Sequence, residues 1–389
     1  MSGKAIVIGA GIGGLATARA LRCNGWQVEV HERAVDFGPS GSGLSIAPNA
    51  MRALRRLGLD IAAVDRWRRL DGLEARLHGG RRVMHIDSDE LATRFGFGLY
   101  SLSRADLHGL LLESLGEVPV HTDRRAIGVA ADGDIATVTV AGPGGPFVHS
   151  ADLVVVADGV HSRLRAALFP DHPGPWYAGY VAWRGIVPAR AAERLEVASM
   201  LSETWGDGLR IGIMPLGDGR IYWYAFDTAD TAPEPNPRTL TARLAGWPEP
   251  IAAVVSATPP QAVLVHEVHY LATPLPSFVR GPIALVGDAA HAVTPDVGQG
   301  ACLALEDAVV LADAVTAQGV LPGLHTYDIA RRPRTQRIAH LSGRMGRALQ
   351  GNTPTAARVR NLAARLTPPT VNTRLTNSLY DWTPPTQVA

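Results

Sequence analysis

The chain has 389 residues, 46% of them hydrophobic, with a formal net charge of +1. That length exceeds one simple core and suggests two intimately connected domains. The near-neutral balance gives no electrostatic case for nucleic acid or an acidic membrane surface. Two cysteines, Cys23 and Cys302, exclude a disulfide framework and fit a reducing cytoplasm. No apolar run reaches membrane-spanning length, and a cytoplasmic protein is expected.

Lys4 to Ile8 reads as a buried strand, followed by Gly9-Ala10-Gly11-Ile12-Gly13-Gly14 and a helix to about Asn24. Trp26 to His31 alternates as a second strand, with Glu32 at its end. In such a strand–loop–helix–strand unit Gly9 permits the tight turn and Gly11 lets backbone approach a pyrophosphate. Gly14 allows close helix–strand packing, and Glu32 is placed to accept from an adenosine ribose. Arg33 either covers an adenine or is a surface arginine. The loop Phe37 to Gly43, too glycine-rich for regular structure, either passes over a flat ligand or turns a corner. A helix is predicted from about Pro48 to Leu57, stopped at Gly58. Residues 71–99 read as short strands, with Gly79-Gly80 as a hairpin turn. Ser103 opens a helix through about Leu115, in which Arg104 either reaches cofactor oxygens or pairs with Asp106.

Alternating strands fill Val118 to Val140, with turns at Asp132-Gly133 and Gly142 to Pro146. Leu153 to Ala157 is a buried strand ending in Asp158-Gly159, then Ser162 and Arg165. It repeats the opening theme of a carboxylate at a strand tip, a glycine and a helix start. From 176 to 270 the character is β. Leu209–Pro215 and Ile221–Phe226 form a hairpin in which Arg210, Gly212 and Met214 share a face opposite Tyr222 and Tyr224. A short helix is predicted near 239–246. Ile283 to Val286 is a buried strand that ends in Gly287-Asp288. After Pro295, the run Gly298-Gln299-Gly300 opens a helix to about Val315. Uncovered backbone N–H groups at that helix start suit a flat, electron-rich ring, and Asp288 suits a polyhydroxylated chain. Residues 326–349 are helical, and Arg331, Arg332, Arg334, Arg337, Arg344 and Arg347 read as a solvated face. A last helical piece covers about 355–380.

His266-Glu267-Val268-His269 lacks the spacing of a zinc helix, and on a strand its histidines face opposite ways. No P-loop, nucleophile elbow or CxxC pair exists, and no metal site is expected.

Three ordered motifs, GAGIGGL with Glu32, ADGVHSRLR and GDAAHAVTPDVGQGACLALEDA, resemble the class A flavin monooxygenases of the para-hydroxybenzoate hydroxylase family. The phrases GLSIAPNA (43–50) and GYVAWRG (179–185) are similar to its salicylate- and urate-hydroxylase-like branch. The resemblance covers nearly the whole chain. It implies an α/β fold: a Rossmann-like FAD-binding domain with an inserted β-sheet substrate domain and C-terminal helices. The division expected is 1–75, 100–175 and 271–345 for FAD, 76–99 and 176–270 for substrate, and 346–389 as a helical end segment.

By the same resemblance Gly9, Gly11, Gly13 and Gly14 hold the pyrophosphate region and Glu32 the ribose. Asp288 meets the ribityl chain, Arg104 the polar middle of the cofactor, and Asp158 both FAD and NAD(P)H. Pro295, Gly298 and Gly300 lie at the isoalloxazine, and His291 beside it either relays a proton or is a packed histidine. Substrate candidates are Arg184, Arg210, Gly212, Met214, Tyr222 and Tyr224. Relatives that bind a benzoate carboxylate place an arginine near Met214, so its absence argues against a small benzoate held that way. Cys302 stands where the family often has Asn. The implied reaction uses NADH or NADPH and O2 to hydroxylate an aromatic or polycyclic small molecule through a flavin C4a-hydroperoxide. Epoxidation of an electron-rich alkene, or a non-catalytic flavin-loaded binder, are the alternatives. The protein is expected to be a monomer or homodimer.

Overall fold

The computed structural model describes residues 3–38, 41–59, 66–234, 236–351 and 353–385. Pro39 and Ser40 of the glycine-rich loop lie outside the described residues. The strands Ile283–Leu285, Leu153–Val156, Lys4–Ile8, Gln27–His31 and Val120–His121 lie side by side in that order, all parallel. Val279–Arg280 adds an antiparallel edge. Leu153–Val156 and Ile283–Leu285 are buried along their whole length, as strands covered on both faces must be. Helices Ile12–Cys23 and Gly300–Gln318 pack together where Gly13 faces Ala304: a Cβ on Gly13 would stand 3.3 Å from that of Ala304.

The carboxyl ends of the parallel strands all open on one edge. There lie Gly9 after the first strand, Glu32 after the second, Ala157-Asp158 after the fourth from the chain start, and Gly287-Asp288 after the last. Open α/β sheets bind ligands at this edge because the following helices point their positive ends into it.

A seven-stranded sheet stands against this layer. It runs in the order Leu264–Tyr270, Trp176–Val187, Ile221–Thr228, Leu209–Pro215, Leu201–Trp205, Gly72–Leu77, Arg82–Asp87. Its faces differ as period-two alternation requires. Ile211, Ile213, Ile221, Trp223 and Ala225 pack into one buried cluster with Leu240, Val254 and Val255. Met214, Tyr222, Tyr224 and Phe226 point the other way. The predicted hairpin register holds, pairing Arg210 with Phe226, Gly212 with Tyr224 and Met214 with Tyr222. A small antiparallel sheet of Arg125–Asp132, Ile135–Gly142 and Gly145–Ala151 covers the outer side of the parallel sheet.

Helices Ser88–Phe95 and Ile251–Ser256 escaped the sequence reading, as did the single turns Ala189–Ala192 and Asp288–His291. Ser88–Phe95 interrupts the expected strands because Asp87 caps it, accepting from Asp89 N at 2.7 Å and Glu90 N at 3.0 Å. Ile251–Ser256 is too short to show a period. The single C-terminal piece is two helices, Pro354–Leu366 and Pro369–Tyr380, each with proline in its first turn. The expected solvated arginine face is corrected at its centre. Arg331 is 1% exposed and bonds Asp307 through Nε at 2.7 Å and Glu306 through Nη1 at 2.5 Å. Arg334 holds Glu306 with two further bonds, at 2.7 and 2.8 Å. Glu306 and Asp307 are fully buried, and burial alone raises a carboxyl pKa. Here the adjoining cations outweigh it and hold both below the usual carboxylate range.

Candidate active site

A cavity of about 420 Å³ lies between the edge of the parallel sheet and the seven-stranded sheet. At one end it is walled by the glycine loop. Gly9 has φ +101° and a Cβ there would meet Ala157 O at 2.4 Å, so the turn requires glycine. A Cβ on Gly14 would lie 1.9 Å from Gly9 O, which fixes how closely helix and turn approach. Gly11 faces open space, and the side a Cβ would fill is part of the cavity wall. Glu32 braces the loop, accepting from Ala10 N at 2.8 Å and Ala34 N at 2.9 Å, which leaves a lone pair on each oxygen. Arg33 is exposed beside it.

The middle is polar. Asp288 begins the short helix Asp288–His291 and is exposed where it lines the cavity, with protein packed around it. Burial raises its pKa, against the opposing fields of His291, Arg104 and Arg165. Arg104 starts the helix Arg104–Ser114, where Ser103 caps by accepting from Asp106 N at 3.0 Å. The alternative pairing of Arg104 with Asp106 does not form: Asp106 meets Ser103, Arg220 and Arg66 instead. Arg104 and Arg184 both line the cavity, and among the described residues neither has an ion-pair partner. Burial lowers the pKa of Arg104, with Arg184 adding to that and Asp288 opposing it. Asp158 is half-buried just behind the wall. Its Oδ1 has no hydrogen-bond partner, and burial raises its pKa.

Arg165 is the residue that sequence reasoning left without a role. It is 2% exposed and donates to Val160 O at 2.7 Å and Ala289 O at 3.1 Å. It thereby ties the strand tip carrying Asp158 to the one carrying Asp288. The repeated carboxylate–glycine–helix theme was the signal that could have suggested it.

Opposite lies the loop Pro295–Val297 with Gly298 at φ +64°, leading into the 19-residue helix Gly300–Gln318. No side chain caps that helix, so its first N–H groups face the cavity. Gln299 accepts from Asn49 Nδ2 at 2.9 Å, and Asn49 Nδ2 also donates to Glu306 at 2.6 Å. Cys302 is buried with its thiol pKa pushed up to about 12 by burial, which leaves it unreactive packing.

Arg184, Met214, Tyr222 and Tyr224 line the cavity; Arg210 and Gly212 do not. Arg210, at 1% exposure, lies beneath the wall and is bound by Asp296 and by Glu203 at 3.2 Å, with Phe226 4.5 Å from its guanidinium. Burial works against its charge, but the two carboxylates prevail and raise its pKa. Tyr180 donates to Asp296 at 2.8 Å; Glu203 accepts from Tyr224 at 2.5 Å and Trp205 Nε1 at 2.7 Å. This network fastens the hairpin to the 295–297 loop, so Arg210 is a positioning residue rather than a substrate contact. A Cβ on Gly212 would meet Tyr224 Cζ at 2.2 Å: the glycine is the bed on which that ring lies. Tyr222 packs over Gly43 in the same way, and among the described residues its hydroxyl has no partner. His291 also stands apart from the cavity lining. Its Nε2 meets Asp307 Oδ2 at 2.5 Å within the buried arginine–carboxylate cluster.

The family profile described as FAD binding domain matches residues 3–342. The aurachin C monooxygenase/isomerase of Stigmatella aurantiaca is 34% identical over 375 residues, covering 93% of each chain. The 2-heptyl-3-hydroxy-4(1H)-quinolone synthase of Pseudomonas aeruginosa is 33% identical over 383 residues, 96% of this chain and 97% of the relative. The structure of Klebsiella pneumoniae HpxO complexed with FAD and uric acid superposes with a TM-score of 0.85 at 31% identity, covering 97% and 96% of the two chains.

Proposed function

The chain belongs to the FAD-binding-domain family of flavin monooxygenases, and from that premise we propose how its cavity divides between cofactor and substrate. It is an FAD-dependent monooxygenase that uses NAD(P)H and O2 to hydroxylate an aromatic small molecule. When bound, FAD supplies hydride acceptance, activation of O2 and delivery of one oxygen atom.

Four features of this chain fit that cofactor. Gly11 presents bare backbone to the cavity, Asp158 Oδ1 is buried without a partner, Asp288 offers acceptors to hydroxyls, and Arg104 is a cavity-lining cation without an ion pair. In this reading Gly9 and Gly14 shape the turn at which Gly11 admits the pyrophosphate. Gly13 sets the helix packing behind it. Glu32 uses its remaining lone pairs on ribose hydroxyls, Arg33 covers the adenine, and Asp288 holds the ribityl chain. Arg104 neutralises the polar middle, and Asp158 serves both nucleotides. Pro295, Gly298 and Gly300 would hold the flavin ring against the open end of helix Gly300–Gln318, whose positive end would favour negative charge there. The division proposed is 1–71, 100–175 and 271–345 for FAD, 72–99 and 176–270 for substrate and 346–389 as the helical end segment, the first substrate segment beginning at 72 because strand Gly72–Leu77 pairs in the seven-stranded sheet.

The substrate lobe carries the finer reading. Its wall away from the glycine loop is apolar, formed by Leu73, Ile86, Leu201, Met214, Leu349 and Leu379. Arg184 and the free hydroxyl of Tyr222 supply polar contacts at the ring end. This wall favours an aromatic ring bearing an aliphatic substituent over a compact polar purine, because each buried methylene contributes about 0.8 kcal/mol. The packed lobe also excludes water, which would otherwise divert oxygen to peroxide. The test is NAD(P)H oxidation stimulated by a series of 2-alkyl-4-quinolones, with uric acid for comparison. KM should fall about fourfold per added methylene until the lobe is full. Stimulation by uric acid alone, or no dependence on chain length, would refute this assignment.

A further inference from the structure

On the opposite side of the glycine loop, away from the cavity, three strands bring nitrogen and carboxylate ligands together. Glu29 and His31 are two apart on strand Gln27–His31 and so share a face. The parallel register sets His121 beside His31, with the rings stacked at 5.0 Å. His149, on strand Gly145–Ala151 of the small outer sheet, closes over them. His31 Nε2 stands 3.7 Å and His149 Nδ1 3.5 Å from the same oxygen, Glu29 Oε1, and the three ligand atoms lie within 4.8 Å of one another.

We propose that Glu29, His31 and His149 form a binding site for a divalent transition-metal ion of the zinc type. A tetrahedral ion at about 2.0–2.1 Å from its ligands sets adjacent donors about 3.3 Å apart, and the two spacings to Glu29 need only a small contraction. The second observation is His31 itself. It is 2% exposed, and neither ring nitrogen has a hydrogen-bond partner. Leaving a buried imidazole unpaired at both nitrogens is costly, and 3.7 Å to Glu29 is too long for a hydrogen bond. An ion on Nε2 removes half of that cost.

The charged groups facing the cluster are consistent with a cation there. Lys4 Nζ lies 3.3 Å from Glu29 Oε1, but its side chain is 42% exposed and is free to swing into solvent when an ion takes its place. Arg124, which acts on both outer histidines, is drawn onto the Phe147 ring at 4.8 Å. Exposed His121 marks the way in, and water completes the coordination shell. The role is structural. His31 O accepts from Gly9 N at 2.8 Å and His31 precedes Glu32, so an ion here would clamp the strand end that braces the glycine loop.

The test uses untagged, FAD-loaded full-length protein, stripped with a chelator and titrated calorimetrically with zinc chloride, with metal content measured after dialysis. One zinc per chain is expected, with magnesium failing to compete because imidazole nitrogens do not suit it. His149→Ala, on the outer strand and away from the core, should weaken zinc binding at least about tenfold, since even the loss of a ligand's supporting partner has that effect. His269→Ala, whose ring lies 5.0 Å from that of His161 in a separate histidine pair, should leave it unchanged. Absence of zinc binding by the wild-type chain, or binding of equal affinity in His149→Ala, overturns the proposal.

Discussion

Asp288→Ala probes the cofactor reading where its physics is simplest. Among the described residues no protein donor bonds the Asp288 carboxylate, and burial raises its pKa, so in the free protein its charge is poorly accommodated. A raised carboxyl pKa adds stability fully below the unfolded-state value and loses it as pH rises through the folded-state value. Alanine has no charge to accommodate there, so above the folded-state value it should leave the apoprotein as stable or slightly more so. What alanine removes is the charged hydrogen bond to the ribityl hydroxyls, worth about 1.5–3 kcal/mol. That corresponds to an FAD Kd weaker by about 10- to 150-fold. Asp288→Asn, which keeps one acceptor oxygen, should fall between. The assay is quenching of flavin fluorescence on titrating apoprotein at pH 7, with the apoprotein melting temperature in parallel. An unchanged Kd would remove Asp288 from contact with the ribityl chain. A weaker Kd accompanied by a collapsed apoprotein moves Asp288 from ligand contact to scaffold.

Gly212→Ala should displace the Tyr224 ring from its 2.5 Å bond to Glu203, weakening substrate binding while FAD occupancy stays full; loss of flavin instead would contradict this division of labour. Tyr222→Phe keeps the packing over Gly43 and removes only the hydroxyl, so the ratio of product formed to NAD(P)H consumed should drop and peroxide rise. A misplacement of about 1 Å costs on the order of a hundredfold in transfer rate, and an unaltered ratio would exclude the hydroxyl from the substrate site. Arg331→Met leaves Glu306 and Asp307 without their shared cation, and denaturant unfolding should show a loss of about 3–5 kcal/mol. Asp307's depressed pKa contributes stability above the ordinary aspartate range that is lost as pH falls towards its folded value. The variant should therefore show a shallower acid decline between about pH 5 and 2 than the wild type.

Local chemistry made much of the scaffold readable. The glycine loop, the strand-tip acids and the hairpin alternation each carry a periodicity or conformational demand that a sequence displays directly, and the strands fall where those demands put them. Arg210 was misplaced for a physical reason. Alternation gives the correct face, but not that Asp296, 86 residues away, and Glu203 would take its charge beneath the cavity wall. Arg331 failed the same way, since an arginine-rich helix looks solvated until Glu306 and Asp307 arrive from the preceding helix. The histidine cluster is equally silent in sequence, because its members come from three strands joined only by register and by one sheet packing on another.

In this chain FAD serves to place one atom of O2 on an aromatic ring. The most direct test is turnover under isotopically heavy O2 in ordinary water, with the 2-alkyl-4-quinolone that best stimulates NAD(P)H oxidation. The product should be one heavy oxygen atom richer, formed in step with NAD(P)H consumed, abolished by stripping FAD and restored by adding it back. Oxygen drawn from water, or product formation that survives removal of FAD, would contradict this role of FAD.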